Sequence, residues 1–359
     1  MRDLFKSMIC AASVALLFVS CNSDDDDTKT TEPLGDYETG IFVTSEGGSV
    51  SGTVDFISED FSSVENGVYQ NVNGENLGTY LESAYFDDET AYVVVDNAST
   101  IYAVNKYTFE KIGTITTGLS MPRFMTVSDG KGYVTNWGDP YDSTDDFVAV
   151  VNLESLAVES TIAVGEGPER ILSYDGKVYV THKGGYNTNN IVSVIETSSE
   201  TVSTIEVEDK PDEIFVNDAG DIVVLSHGAT LYDASWNYIG DTVGAISKID
   251  PSNNTLELSL EFVEGSHPGL MYYYKGVLYY ELSGTVYTMS DSDTALPTTG
   301  ILDLGGIYAY GMAVDDNNLY VINASFSEMS DLIVYDLNSL TEAYTFDVGL
   351  GASKIYFAN

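Results

Sequence analysis

The sequence predicts an all-β fold, a seven-bladed β-propeller of four-stranded blades, on three observations. A short motif recurs along the chain, each copy places two apolar strands on either side of a tight turn, and the two ends carry complementary parts of one further unit. The composition agrees: 26 tyrosines and 32 glycines against 8 prolines favour many short strands joined by turns. At 359 residues the chain can bury a sizeable core, and all-β folds of this length often form a single domain.

The first copy is YLESAYFDDETAYVVVDNAS (80–99), followed by SMPRFMTVSDGKGYVTNWG (120–138), GPERILSYDGKVYVTHKG (167–184), KPDEIFVNDAGDIVVLSHG (210–228), HPGLMYYYKGVLYYELSG (267–284) and AYGMAVDDNNLYVINAS (309–325). Each has an apolar strand, a turn of Asp, Asn, Gly or Lys that tolerates positive φ, and a second strand rich in Tyr and Val. Two more strands follow, as in IVSVIE and TVSTIEV after the third copy. Four strands per unit, with units starting at Glu82, Pro122, Pro168, Pro211, Pro268 and Ala309, make six blades. The seventh joins the ends: ASKIYFAN (352–359) is a first strand without partners, and GIFVTSEGG (40–48), SVSGTVDFI (49–57) and GVYQNV (67–72) are read as its second to fourth strands. Such closure leaves no open sheet edge.

Residues 1–20 form a separate segment. Arg2 and Lys6 precede the apolar run MICAASVALLFVS, too short for a membrane span and suited to a secretory signal. The run ends in FVSC, which resembles a bacterial lipobox with Cys21 as the lipidated residue, although Phe18 stands where leucine is usual. Residues 21–39 read as an acidic tether, and the Ser-Asp-rich start NSDDDD resembles the signal that places lipoproteins on the outer cell surface in Bacteroidota. The expectation is an outer-membrane lipoprotein held by its lipid anchor, with a propeller over 40–359. Cys10 leaves with the signal, so the folded part has no disulfide. A formal net charge of −42 excludes nucleic acid as a partner and favours neutral or cationic ligands.

The repeated units resemble the YncE-type seven-bladed propellers, over about residues 40 to 359. Lipoproteins of this kind in Bacteroidota include surface proteins of the BtuG type, which capture cobalamin and pass it to a TonB-dependent transporter. The resemblance therefore implies a bound cobalamin as ligand and such a transporter as partner, with no cofactor required. The residues themselves specify a scaffold and no chemistry.

Candidate binding residues fall on the face where second strands lead to third strands and fourth strands lead to the next blade. The longer loops there hold Trp137, Tyr141, Tyr186, Trp236, Tyr238 and Phe326. His182 and His227 end second strands, and His267 precedes a first strand. Packing of loops against blades is the alternative for each aromatic, and a surface hydrogen bond is the alternative for each histidine. First strands line the channel, which places Arg123, Glu169, Arg170, Asp212 and Tyr310 at its rim. The arginines either pair with Glu169, Asp212 or Glu213, or contact ligand amides and carboxylates. The third residue after the aligned proline or its equivalent, Met125, Ile171, Ile214, Met271, Met312 or Ile355, reads as inter-blade core.

Enzyme chemistry has little support: the chain lacks Gly-x-Ser-x-Gly and a reactive cysteine. A propeller lyase or lactonase with a histidine base stays as an alternative, as does a protein-interaction scaffold. The three histidines have no close spacing for a metal, and DPYDSTDD (139–146) reads as a solvated acidic loop before it reads as a calcium loop.

Overall fold

A computed structural model describes residues 33–358; the expected signal segment, Cys21 and most of the expected acidic tether lie outside the described residues. Seven four-stranded antiparallel sheets follow one another as the blades of a propeller. We number them from the blade that joins the ends. Blade 1 pairs Ala352–Ala358 with Gly40–Ser45, then adds Thr53–Ser58 and Val64–Glu65. Its closing register runs from Gly40 opposite Ala358 to Ser45 opposite Ala352. The first two strands of the other blades are Leu81–Phe86 and Thr90–Val95 (blade 2), Pro122–Ser128 and Lys131–Asn136 (blade 3), and Pro168–Tyr174 and Lys177–His182 (blade 4). Blades 5, 6 and 7 begin with Pro211–Val216 and Ile222–Ser226, Leu270–Tyr274 and Val277–Leu282, and Ala309–Val314 and Asn318–Asn323.

The turns behave as their residues require. Asp129–Gly130, Asp175–Gly176 and Lys275–Gly276 all take positive φ at both positions, the twist that matches a tight hairpin to its strands. The core is built at the blade junctions, with seven buried apolar clusters for seven junctions. Alternation along one strand shows how: in blade 5, Ile222 and Val224 pack toward blade 4, whereas Val223 and Leu225 pack toward blade 6. Both faces of each blade are thus apolar, and each fully buried Val or Ile contributes roughly 1.5–3 kcal/mol. Met125, Ile171, Ile214, Met271 and Met312 are buried in these junctions as their positions predict, while Ile355 is partly exposed.

One expected strand is a helix. GVYQNV forms most of Val68–Asn73, and the fourth strand of blade 1 is only Val64–Glu65. Gly67 and Gly74 bracket the helix in left-handed conformation, and Asp55 accepts a bond from the Gly67 N–H (2.8 Å). Val68 and Tyr69 are its buried residues, and both belong to the core between blades 1 and 2. Asn73 then bonds the backbone of Phe109 and Lys111, joining the helix to blade 2. Upstream, Tyr37 is already buried against Phe42, Phe56 and Phe109. The long 226–244 connection folds into a hairpin of its own, Thr230–Tyr232 with Tyr238–Asp241.

Candidate functional site

The site begins with irregularities in the first strands. In blades 3, 4 and 5 the register slips between Pro122 and Met125, Pro168 and Ile171, and Pro211 and Ile214. Each bulge frees two residues from the ladder and turns them into the channel. Hydroxyl groups fix the bulges: Thr135 Oγ1 donates to the Glu169 carbonyl (2.7 Å) and Thr181 Oγ1 to the Asp212 carbonyl (3.0 Å). Ser83 Oγ donates likewise to the Arg123 carbonyl (2.7 Å).

The freed residues line a cavity of about 530 Å³ at the channel mouth, bordered by Arg123, Glu169, Arg170, Asp212, Glu213, His227 and Tyr310 among others. Arg123 meets three carboxylates: Nη1 lies 2.8 Å from both Glu82 and Asp96, and Nη2 lies 3.0 Å from Glu169. Its guanidinium also covers the Trp137 ring at 4.1 Å, while Trp137 Nε1 donates to the Pro168 carbonyl (2.9 Å). Arg170 bonds Asp212 through Nε (3.0 Å) and Glu213 through Nη2 (2.7 Å), and Lys183 Nζ reaches Asp212 at 2.6 Å. Both arginines are therefore paired within the ring.

Charge is unevenly stabilised there. Burial opposes charge on Asp212, but Lys183 and Arg170 outweigh it and hold the carboxyl well below its usual range. Burial prevails at Glu213, pushed up to about 7, and at Asp96, pushed up to about 6 against the pull of Arg123. His227 is driven down to about 3 by burial and by Lys183. Its Nε2 stands 3.6 Å from Asp212, beyond a hydrogen bond, and has no hydrogen-bond partner among the described residues.

Of the residues singled out from sequence, Arg123, Glu169, Arg170, Asp212, His227 and Tyr310 share the cavity, and Trp137 flanks it through Arg123. Tyr186 packs on Trp137 and Tyr141 on Tyr186, with ring centroids 6.2 and 5.5 Å apart, and both tyrosines are exposed. Across the mouth Tyr310 stacks on exposed Tyr308 and meets Phe326 edge-on. Trp236 stands on the separate hairpin beside Tyr232, 83% exposed and with a φ of 61°.

Two histidines have other work. His182 is fully buried: Nδ1 donates to the Glu166 carbonyl (3.2 Å), Nε2 accepts from Ser193 Oγ (2.8 Å), and burial takes its pKa down to about 4. It holds the 165–167 loop, as Asn136 does in blade 3 by accepting from the Ser120 N–H. His267 ties the base of the hairpin, bridging the His227 carbonyl (2.9 Å) and Asp241 (3.1 Å).

Sequence reasoning missed Glu46, Asp96 and Lys183, all of which border the cavity. A signal was present: each immediately follows a second strand, the offset that Trp137 and His227 also occupy. Among the described residues no group of three or more His, Cys, Asp or Glu side chains could hold a metal ion, and no helix is long and apolar enough to cross a membrane.

Residues 39–233 match a family described as a domain of unknown function, DUF5074. The chain belongs to that family. No curated protein matches this DUF5074 member. Among solved structures it is similar to the hydrazine synthase of Kuenenia stuttgartiensis (TM-score 0.56, 16% identity, 76% of this chain and 90% of that one). It is also similar to the dihydro-heme d1 dehydrogenase NirN in complex with DHE (0.54, 13%, 90% and 76%) and to apo AztD from Citrobacter koseri (0.51, 11%, 88% and 96%). At such identities the likeness concerns the propeller fold alone.

Proposed function

We propose that this DUF5074 propeller is a binding protein, displayed as a lipoprotein on the outer membrane through Cys21, that captures a bulky small molecule at the channel mouth. One observation carries the reading: a polar cavity of about 530 Å³ opens beside aromatic side chains that the fold leaves exposed. Tyr141, Tyr186, Tyr308 and Phe326 all extend into solvent around the mouth, where they offer flat apolar area to a ligand. The paired arginines and carboxylates beneath them supply a rigid polar floor, so recognition is preorganised.

Cobalamin is the first ligand to test, on the resemblance to surface cobalamin-capture propellers, and a TonB-dependent transporter is the partner that resemblance implies. Its largely uncharged amide periphery suits a tyrosine-rich, acidic mouth. The experiment is gel filtration and titration of the chain from residue 22 with cobalamin. Stoichiometric co-elution, lost when Trp137 and Tyr186 are both changed to alanine, supports the reading. Absence of binding by a cooperatively folded sample removes cobalamin and moves the search to other small molecules.

A further inference from the structure

The channel does not end at its acidic mouth. A second cavity, of about 470 Å³, is lined by first-strand residues of blades 1, 2 and 4 to 7, and it shares Arg170, Glu213, Leu270 and Lys354 with the mouth. Those two cations and one carboxylate are the only charged groups in its lining, which is otherwise mostly apolar and aromatic. Two ring pairs stand in it, Phe86 with Tyr356 and Phe215 with Tyr272, at centroid distances of 5.4 and 5.6 Å. All four rings are only half-buried, so the packing of the blades leaves them apolar area to offer.

The cations at the junction of the two cavities have donors to spare. Arg170 uses Nε on Asp212 and Nη2 on Glu213, but its Nη1 has no hydrogen-bond partner among the described residues, and its side chain is 21% exposed. Lys354 has neither an ion pair nor a hydrogen bond among the described residues; its Nζ lies over ring faces alone. One ring brings the two together: the Arg170 guanidinium is 4.8 Å and Lys354 Nζ 5.8 Å from the centroid of Phe124. Both cations also bear on Glu213, and Arg170 bears on the Tyr356 hydroxyl, which belongs to the aromatic bore. Tyr356 follows Lys354 by two residues and so leaves the strand on the same side. Burial pushes Glu213 up to about 7 and raises Glu46, and neither carboxylate holds Lys354 in an ion pair.

We propose that the bore of this propeller is a second ligand site, for a molecule that carries a carboxylate on a flat apolar body. Lys354 Nζ and Arg170 Nη1 hold the carboxylate at the junction, and the body lies deeper, among Phe86, Phe215, Tyr272 and Tyr356. The site goes beyond capture at the mouth and stands without it, because its apolar walls belong to the first strands and not to the aromatic loops. A neutral head of the same shape keeps the apolar contacts and loses the charge-assisted bonds, while an ammonium head meets two like charges.

The test compares 4-phenylbutanoate, 4-phenylbutan-1-ol and 4-phenylbutylamine, three heads on one apolar body, by calorimetric titration of the full chain. Salt of about 0.15 M, with a Debye length of about 8 Å, screens the repulsion between an anion and the acidic surface. The carboxylate is expected to bind about tenfold more tightly than the alcohol, and the amine most weakly. Lys354→Met, which breaks no ion pair, should bring the carboxylate down to the level of the alcohol and leave the alcohol unchanged. Phe215→Ala should weaken both severalfold, and Phe215→Leu takes its place if thermal melting shows that the alanine variant does not fold. Equal affinity for carboxylate and alcohol overturns the proposal, as does a carboxylate preference that survives Lys354→Met in folded protein, or binding indifferent to the change at Phe215. Cobalamin titrated beside the probes keeps the two readings apart: cobalamin binding without carboxylate preference sinks the bore site alone, and carboxylate preference without cobalamin binding leaves the bore site standing.

Discussion

The two sides of the channel mouth use the same residue types to different ends. On the side of blades 2 to 5, Arg123, Arg170 and Lys183 meet Glu82, Asp96, Glu169, Asp212 and Glu213, each carboxylate within 3.0 Å of a cation. On the side of blades 6, 7 and 1, Glu281 and Glu46 stand with tyrosines and with Lys354, none of the three in an ion pair among the described residues. Buried charge that is paired becomes part of the scaffold, whereas a buried carboxylate without a cation at contact distance is pushed by burial toward its neutral form, as at Glu281 and Glu46.

The strongest way to break this contrast is Arg123→Met. It leaves Glu82, Asp96 and Glu169 buried together without their shared cation, and a loss of about 3–5 kcal/mol is expected in urea unfolding. A cost below about 1 kcal/mol would mean that the pairing is not structural. Next comes pH. His182 is neutral in the fold, with a pKa near 4, but takes a proton in the unfolded chain near its ordinary value of 6.5. Its contribution is therefore complete above pH 6.5 and declines as pH falls toward 4, by about 3 kcal/mol. The stability gap between the wild type and His182→Gln, measured across that range, should narrow on acidification; a constant gap would rule out the neutral buried ring.

On the side without ion pairs, Glu281→Gln keeps an acceptor for the Gly284 N–H and removes a charge that burial already disfavours. A stability change within about 1 kcal/mol, of either sign, is expected from thermal melts. A loss as large as that of Arg123→Met would erase the distinction between the sides. The smallest effect belongs to the hairpin tip, where Trp236→Gly relieves a left-handed backbone at an exposed position. Its melting temperature should be unchanged or slightly raised, by up to about 1 kcal/mol of stability; a clear drop would give Trp236 a packing role.

Much of this architecture was legible because propeller blades repeat: a period in the sequence is a period in space, and the halves at residues 40 and 352 can be joined by subtraction. The segment 67–72 was misread because six residues with three apolar side chains do not separate a strand from a helix, and the flanking glycines were the better guide. At the site, resolution failed by one residue. His182 is the last residue of its strand and turns into the blade, whereas Lys183 turns into the channel. Strand side chains alternate faces, so a strand end located correctly still leaves open whether its last residue or the one after it faces the channel. The pairing of the arginines was weighed from sequence and could not be decided there, because Glu82 and Asp96 come from another blade.

The hydroxyl bonds that fix the bulges have a mechanical consequence. Ser83, Thr135 and Thr181 stitch blades 2 to 3, 3 to 4 and 4 to 5, and the Ala84 N–H donates to Tyr356 Oη between blades 2 and 1. Among the described residues, no side-chain hydrogen bond joins the first or second strand of one blade to the first strand of the next at the junctions 5 to 6, 6 to 7 or 7 to 1. Those three junctions are tied instead at their hairpin turns and outer strands, by the Asp218 N–H on Tyr273 Oη, by Lys275 on Asp316 and by the Ala352 N–H on Ser330 Oγ. The ring is thus laced along its channel wall over blades 1 to 5 and along its outside over the rest, so the arginine wall is the part of the channel whose shape polar bonds fix most directly.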